Sequence, residues 1–292
     1  MKNFIKKTLS FFRLLGLAQK INQRIGNDIF PKIFLKVSLN LFKKKYDRYW
    51  ASVKSDISLT DMKKPFKDLK ENGYARIDSL YSKAEISQIT REVKKLKGFD
   101  VGIYKGNGKF SYKNFVNDGI CALGISQDFK SCYKYFTQDK RLLNLAKALY
   151  GKNMKLSASS LLCKYGKDKI DSSNVPHWDD WKIRLKVFIL LNEVKMANAP
   201  MIYFKGSHKK NIPWRLEKDY SSVFLSYEAS AGGSWWPVEN LNLDKVYFTG
   251  KPGTCYIFDA TGIHTGTQLR SGKRLMLMNM YTNHLDFTYR AY

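Results

Sequence analysis

The sequence predicts a mainly β chain, a sandwich or jelly roll with added helices, and three observations predict it. From Met154 onward, short runs rich in β-branched and aromatic residues recur between glycine, proline and serine turns, the pattern of a closed or two-layered antiparallel sheet. Before Met154 the apolar residues recur at helical spacing instead. Between 175 and 194, VPHWDDWKIRLKVFILLNEV, a His-x-Asp pair opens onto a nearly continuous apolar strand. Residues two apart in an extended segment project to the same side, so His177 and Asp179 can grip one metal ion from neighbouring positions.

Residues 1–50 interleave apolar side chains with lysines and read as two helices broken near Pro31. A helix from about Phe66 is followed by a turn at Asn72-Gly73 and a strand over Tyr74–Ile77. The next helix has Ser82 as N-cap and Glu85 at the third position of a capping box, with a stop near Gly98. Residues 101–115 read as a loop or irregular strand. Their glycines, Gly102, Gly106 and Gly108, do not form a phosphate loop, because no strand leads in and no helix follows. A further helix is expected over residues 139–149, ending at Gly151. Strands are expected over 155–165, 185–194, 199–204, 253–259 and 274–281, with turns at Gly206-Ser207 and Ser271-Gly272. Residues 211–248 form a long insertion rich in aromatics, including Trp214, Tyr220, Trp235 and Trp236, as expected of a lid or binding loop. The division is a basic amphipathic helical extension over 1–64 and a β domain over 65–292.

Composition narrows the function classes. With 292 residues, 44% hydrophobic and 14% aromatic, the chain has ample material for a core. The four cysteines, Cys121, Cys132, Cys163 and Cys255, lack close pairing, which fits a reducing, cytoplasmic setting. The net charge is +26. Residues 1–50 hold twelve Lys and Arg against two Asp, a net of +10, so the other 242 residues carry +16 and the N-terminus is about three times denser in charge. No zinc finger, RNA-recognition motif or basic recognition helix accompanies that charge, so no specific nucleic-acid partner is expected. No stretch reaches the roughly 18 uncharged apolar residues of a spanning helix, and the run from Leu14 to Ala18 is too short for a signal peptide. Two readings of residues 1–50 stay open. The helices pack on the β core with lysines in water, or they lie on an anionic membrane surface as a peripheral contact.

A third metal ligand is available in His264, on another β-rich run. Two histidines and one carboxylate form the facial triad of non-haem Fe(II) oxygenases, which leaves coordination positions open for a cosubstrate and dioxygen. Of the other histidines, His208 in the Gly-Ser-His turn and His284 near the end read as structural. Trp178 and Trp181 flank the carboxylate as packing or pocket residues, and Asp180 either orients a ligand or faces solvent.

Taken in order, Asn72-Gly73-Tyr74, His177-x-Asp179, Ala199-Pro200, Gly206-Ser207-His208, Lys251-Pro252-Gly253, Phe258-Asp259, His264 and Arg274 resemble the phytanoyl-CoA dioxygenase family of Fe(II)- and 2-oxoglutarate-dependent oxygenases, over residues 65–285. The resemblance implies a double-stranded β-helix (cupin-like jelly roll) core, iron on His177, Asp179 and His264, 2-oxoglutarate as cosubstrate, dioxygen as oxidant and hydroxylation of an unactivated carbon. Related halogenating enzymes lack the carboxylate ligand, and Asp179 argues against that chemistry. The substrate expected is a small molecule or a lipid-linked compound, and the rival classes are a non-catalytic β-helix binding protein and a membrane-surface scaffold.

Arg274 has a chemical rationale of its own. A dicarboxylate that chelates a metal through one end needs its far carboxylate neutralised, which the planar fork of arginine does bidentately. In a plain hairpin around Ser271-Gly272, Arg274 would stand opposite Leu269, five residues and ~17 Å from His264. A connection that crosses between facing sheets removes the difficulty. Arg270 is the competitor. Many family members place a serine two residues after the distal histidine; here that position is Gly266, and Thr265 or Thr267 is the candidate for the hydroxyl, with Thr267 expected beside Arg274 in the cosubstrate site.

Overall fold

The computed structural model describes residues 61–96, 115–117, 120–125, 127–165, 174, 176–177, 184–210 and 242–283. Residues 1–50, the glycine-bearing stretch 101–114, Trp178 to Trp181 and most of the aromatic insertion (211–241) lie outside them, and so does His284.

Helix α1 (Lys63–Asn72) ends at Gly73, whose φ of +81° lets its N–H reach back 3.0 Å to Leu69 O before the chain enters β1 (Tyr74–Ile77). Helix α2 (Lys83–Lys94) starts with the expected capping box. Ser82 Oγ accepts from Glu85 N at 3.2 Å, and Ser82 N donates to Glu85 Oε2 at 2.7 Å. It closes at Lys95 rather than at Gly98, which lies outside the described residues. Strands β2 (Phe115–Asn117) and β3 (Ile120–Gly124) follow. A short turn of helix α3 (Lys130–Cys132) then runs into a π-helix, Tyr133–Thr137. Helix α4 (Lys140–Tyr150) has Asp139 as N-cap, accepting from Arg141 N at 2.8 Å, and terminates at Gly151.

The remaining elements are β4 (Met154–Lys164), β5 (Arg184–Leu190), β6 (Ile202–Phe204), helix α5 (Ser207–Lys210), β7 (Lys245–Tyr247), β8 (Cys255–Asp259), β9 (His264–Thr265) and β10 (Arg274–Asn283). They form a seven-stranded sheet in the order β1-β8-β5-β10-β4-β3-β2 and a three-stranded sheet, β7-β6-β9. Every described strand pairing is antiparallel. The connection from β9 to β10 therefore passes from the small sheet to the large one, as the placement of Arg274 requires.

Alternation along the strands divides the core into two layers. Leu161, Cys163, Val187, Ile189, Ile257, Leu275 and Leu277 face the helices and pack with Leu69, Ile89, Val93, Leu142 and Leu145. Residues of the opposite parity, Phe188, Leu190, Tyr256, Phe258 and Met276, face the small sheet and pack with Tyr203 and Phe248. This inner layer is aromatic, and Phe248 and Tyr256 stack with centroids 4.1 Å apart.

Three expectations need correction. Strand β5 stops at Leu190 instead of 194, because Asn192 leaves the ladder and caps β10, accepting from Leu275 N at 2.6 Å. Strand β6 begins at Ile202 because Ala199 takes a left-handed φ of +56°, incompatible with a strand. The insertion does not extend to 248, because β7 pairs with β6 and Phe248 is buried. Burial pushes the thiols of Cys132 and Cys255 up, with Glu92 and Asp139 respectively adding to the effect, so both are protonated and unreactive. Among the described residues Cys132, Cys163 and Cys255 are in no disulfide, and no helix is long and apolar enough to cross a membrane.

Candidate functional site

His177 and His264 lie 87 positions apart in sequence and meet in an antiparallel bridge. Each donates its backbone N–H to the other's carbonyl, at 2.9 Å from His177 and 2.8 Å from His264. Residues that exchange both bonds direct their side chains to the same side, and the two imidazole centroids are 4.6 Å apart. His264 is 3% exposed, its ring edge-on to Phe258.

Nδ1 of His264 lies 2.9 Å from Gly262 O. A carbonyl only accepts, so Nδ1 carries a proton, and in the neutral ring this leaves the lone pair on Nε2, as in a metal ligand fixed by a backbone acceptor. The spacing of the rings also suits a shared ion. With metal–nitrogen bonds of about 2.1 Å and ring centres about 1.1 Å farther out, two imidazoles at a right angle stand about 4.5 Å apart. Among the described residues no three His, Cys, Asp or Glu side chains form a metal-binding group. The pair is present, and Asp179, the expected third ligand, lies outside the described residues.

The turn that delivers His264 is built by residues whose role the sequence did not reveal. Asp259, 1% exposed, accepts from Tyr150 Oη (2.8 Å), Thr261 N (2.8 Å) and Thr261 Oγ1 (2.7 Å). Tyr203 Oη donates to the Asp259 carbonyl at 3.0 Å, and Ser207 Oγ accepts from Ile263 N at 2.7 Å. Phe258-Asp259 and Gly206-Ser207 were visible as motifs, but only the fold shows that both serve this turn. His208, 0% exposed, sits beneath the end of α1 with Nε2 3.3 Å from Lys70 O.

Gly262 completes the turn by lacking a side chain. A Cβ there would overlap Tyr203 Oη and lie 2.6 Å from Tyr203 Cζ and 3.0 Å from Ser207 Oγ. Gly262→Ala is expected to cost about 1–3 kcal/mol of stability through overpacking. It should also weaken metal binding, because Gly262 O is the acceptor that orients His264. Urea unfolding and a metal titration on one preparation check both effects.

The structure separates the two candidate arginines. Arg274 is 8% exposed and its Nη1 donates to Ala199 O, whereas Arg270 is exposed. The residues around Arg274 are held from both sides. Asn192 Nδ2 donates to Lys273 O at 2.9 Å while Asn192 Oδ1 accepts from Leu275 N, and Asn198 Nδ2 donates to Ser271 O at 2.9 Å. Asn192 had no sequence signal. Thr267 Oγ1 gives its one proton to Pro200 O at 2.7 Å and Thr265 Oγ1 gives its own to Gly266 O at 3.0 Å, so Thr267 fastens the Ala199-Pro200 turn. His264 stands opposite Tyr203 in register, and Ala199 lies four residues earlier. At most about 14 Å of backbone therefore separates the two ends of the site.

No family model matches the chain, and no curated protein sequence matches it. Solved structures do. The epimerase SnoN from nogalamycin biosynthesis, in complex with Fe3+, α-ketoglutarate and nogalamycin RO, superposes with a TM-score of 0.54 at 17% identity over 77% of this chain and 85% of that one. HygX from Streptomyces hygroscopicus, with nickel and 2-oxoglutarate bound, gives 0.52 at 15% identity over 77% and 88%. The α-ketoglutarate-dependent carbocyclase SnoK gives 0.51 at 15% over 76% and 84%. At these identities the likeness is one of fold, and the chain has a double-stranded β-helix, or jelly-roll, core with added helices.

Proposed function

We propose that this double-stranded β-helix chain is an Fe(II)- and 2-oxoglutarate-dependent oxygenase acting on a small-molecule substrate. The observation that carries the proposal is the His177–His264 pair, bridged through the backbone, with the proton of His264 fixed on Nδ1 by Gly262 O. Solved enzymes of the same fold with Fe or nickel and 2-oxoglutarate bound support the choice of cofactors. The finer placement in the phytanoyl-CoA dioxygenase family rests on the ordered motifs alone.

In this reading His177 and His264 supply two neutral imidazole ligands and Asp179 the carboxylate that completes a facial set. An Fe(II) held by these three residues would supply the redox chemistry that couples oxidative decarboxylation of 2-oxoglutarate by dioxygen to hydroxylation of a substrate C–H bond. Arg274, whose Nη1 donates to Ala199 O, would receive the far carboxylate of the cosubstrate. The aromatic inner layer of Phe188, Tyr203, Phe248 and Phe258 excludes water on one flank. SnoN and HygX were solved with nogalamycin RO and hygromycin B, and small-molecule metabolites are the substrate class to test first here. Succinate release against a metabolite panel tests the function. Release that needs Fe(II) and rises with one substrate is expected. Metal-loaded protein that neither binds nor consumes 2-oxoglutarate is a binding protein instead.

For residues 1–50 we propose either packing on the core or a peripheral membrane contact, in a cytoplasmic setting. If the basic extension lies on an anionic membrane surface, each basic residue near it adds about 1 kcal/mol. Flotation with anionic liposomes should then depend on salt and vanish when 1–50 are deleted. Protein that stays at the bottom of the gradient, or a deletion that unfolds it, places the extension on the core.

A further inference from the structure

We propose that Lys164 is a second cation of the cosubstrate site, its ammonium sharing with the Arg274 guanidinium the carboxylate that lies farther from the metal. This rests on the oxygenase reading above. Lys164 ends β4, and its partner across the ladder in β10 is Arg274. The same register pairs Leu162 with Met276 and Ser160 with Met278, without interruption along this part of the ladder. Leu162, Met276 and Met278 belong to the inner layer, whereas Cys163 and Leu275 pack against the helices. By alternation Lys164 and Arg274 both point to the inner face.

Both are buried, Lys164 at 2% and Arg274 at 8% exposure. Directly opposed residues of an antiparallel pair have Cβ atoms about 5 Å apart, so the two cationic ends can reach one anion between them. A carboxylate suits the geometry, because its two oxygens offer about four lone-pair sites, enough for an arginine fork on one edge and an ammonium on the other. The arrangement favours 2-oxo acids with a distal carboxylate over those without one.

The test is calorimetric binding to Ni(II)-loaded protein, using 2-oxoglutarate and, as a probe of the chelating end alone, 2-oxopentanoate, which has the same chain without the distal carboxylate. Lys164→Met should weaken 2-oxoglutarate binding at least about tenfold, as expected for a charge-assisted contact, and leave 2-oxopentanoate and Ni(II) affinity unchanged. Lys164→Arg, which keeps the charge, should retain most of the 2-oxoglutarate affinity. If Lys164→Met does not fold, Lys164→Gln compared with Lys164→Arg carries the same contrast. Equal 2-oxoglutarate affinity with and without the charge overturns the proposal, as does an equal loss for both ligands. The two failures can be told apart. Wild-type protein that holds nickel but no 2-oxoglutarate defeats the oxygenase reading, whereas binding lost in Arg274→Met and intact in Lys164→Met defeats this inference alone.

Discussion

His264→Ala is expected to reduce metal affinity by more than about 100-fold and to abolish 2-oxoglutarate turnover. Losing a partner that merely orients a ligand typically costs 10- to 100-fold, and this change removes the ligand itself. The fold should survive. His264 lies in a two-residue strand, and its backbone exchange with His177 does not depend on the ring. The edge contact with Phe258 is lost and Gly262 O loses its donor, which together should cost about 1–3 kcal/mol. Metal content and a thermal melt on one sample check the two halves. Full metal occupancy in the variant would remove His264 from the ligand set.

Arg274→Lys is expected to raise the 2-oxoglutarate KM by about 10- to 100-fold while metal affinity stays within about twofold, since a bidentate charged contact worth about 1.5–3 kcal/mol becomes a point charge. Arg270→Ala is the matched control. Its side chain is exposed, and the hydrogen bond it makes to Ala197 O is through the backbone, which alanine retains. If the control shows the defect and Arg274→Lys does not, the cosubstrate lies on the other side of the Ser271-Gly272 turn.

The residues differ in how far the sequence alone could place them. Ser82 and Glu85 form a local signal that fixes a helix start whatever surrounds it, and the capping box formed as expected. For Arg274 the spacing from His264 asks for a crossing between sheets instead of a plain hairpin, and the crossing is present. Strand ends were less legible. The polar pair Asn192-Glu193 interrupts the run from 185 to 194, but only the fold shows that β5 ends at Leu190 and that Asn192 turns to cap a residue 83 positions away. The scaffold of the site was least legible. Tyr150, Asp259 and Tyr203 come from α4, β8 and β6 and meet only after both sheets have closed, and Lys164 looks like any strand-end lysine until its register against Arg274 is known.

Anaerobic calorimetry of Fe(II) and then 2-oxoglutarate tests the central claim most directly. One Fe(II) should bind per chain, and 2-oxoglutarate should bind strongly only after the metal, with both signals lost in His264→Ala. Binding of 2-oxoglutarate that is indifferent to the metal, or Fe(II) binding that is indifferent to His264, would contradict a metal centre built on the His177–His264 pair.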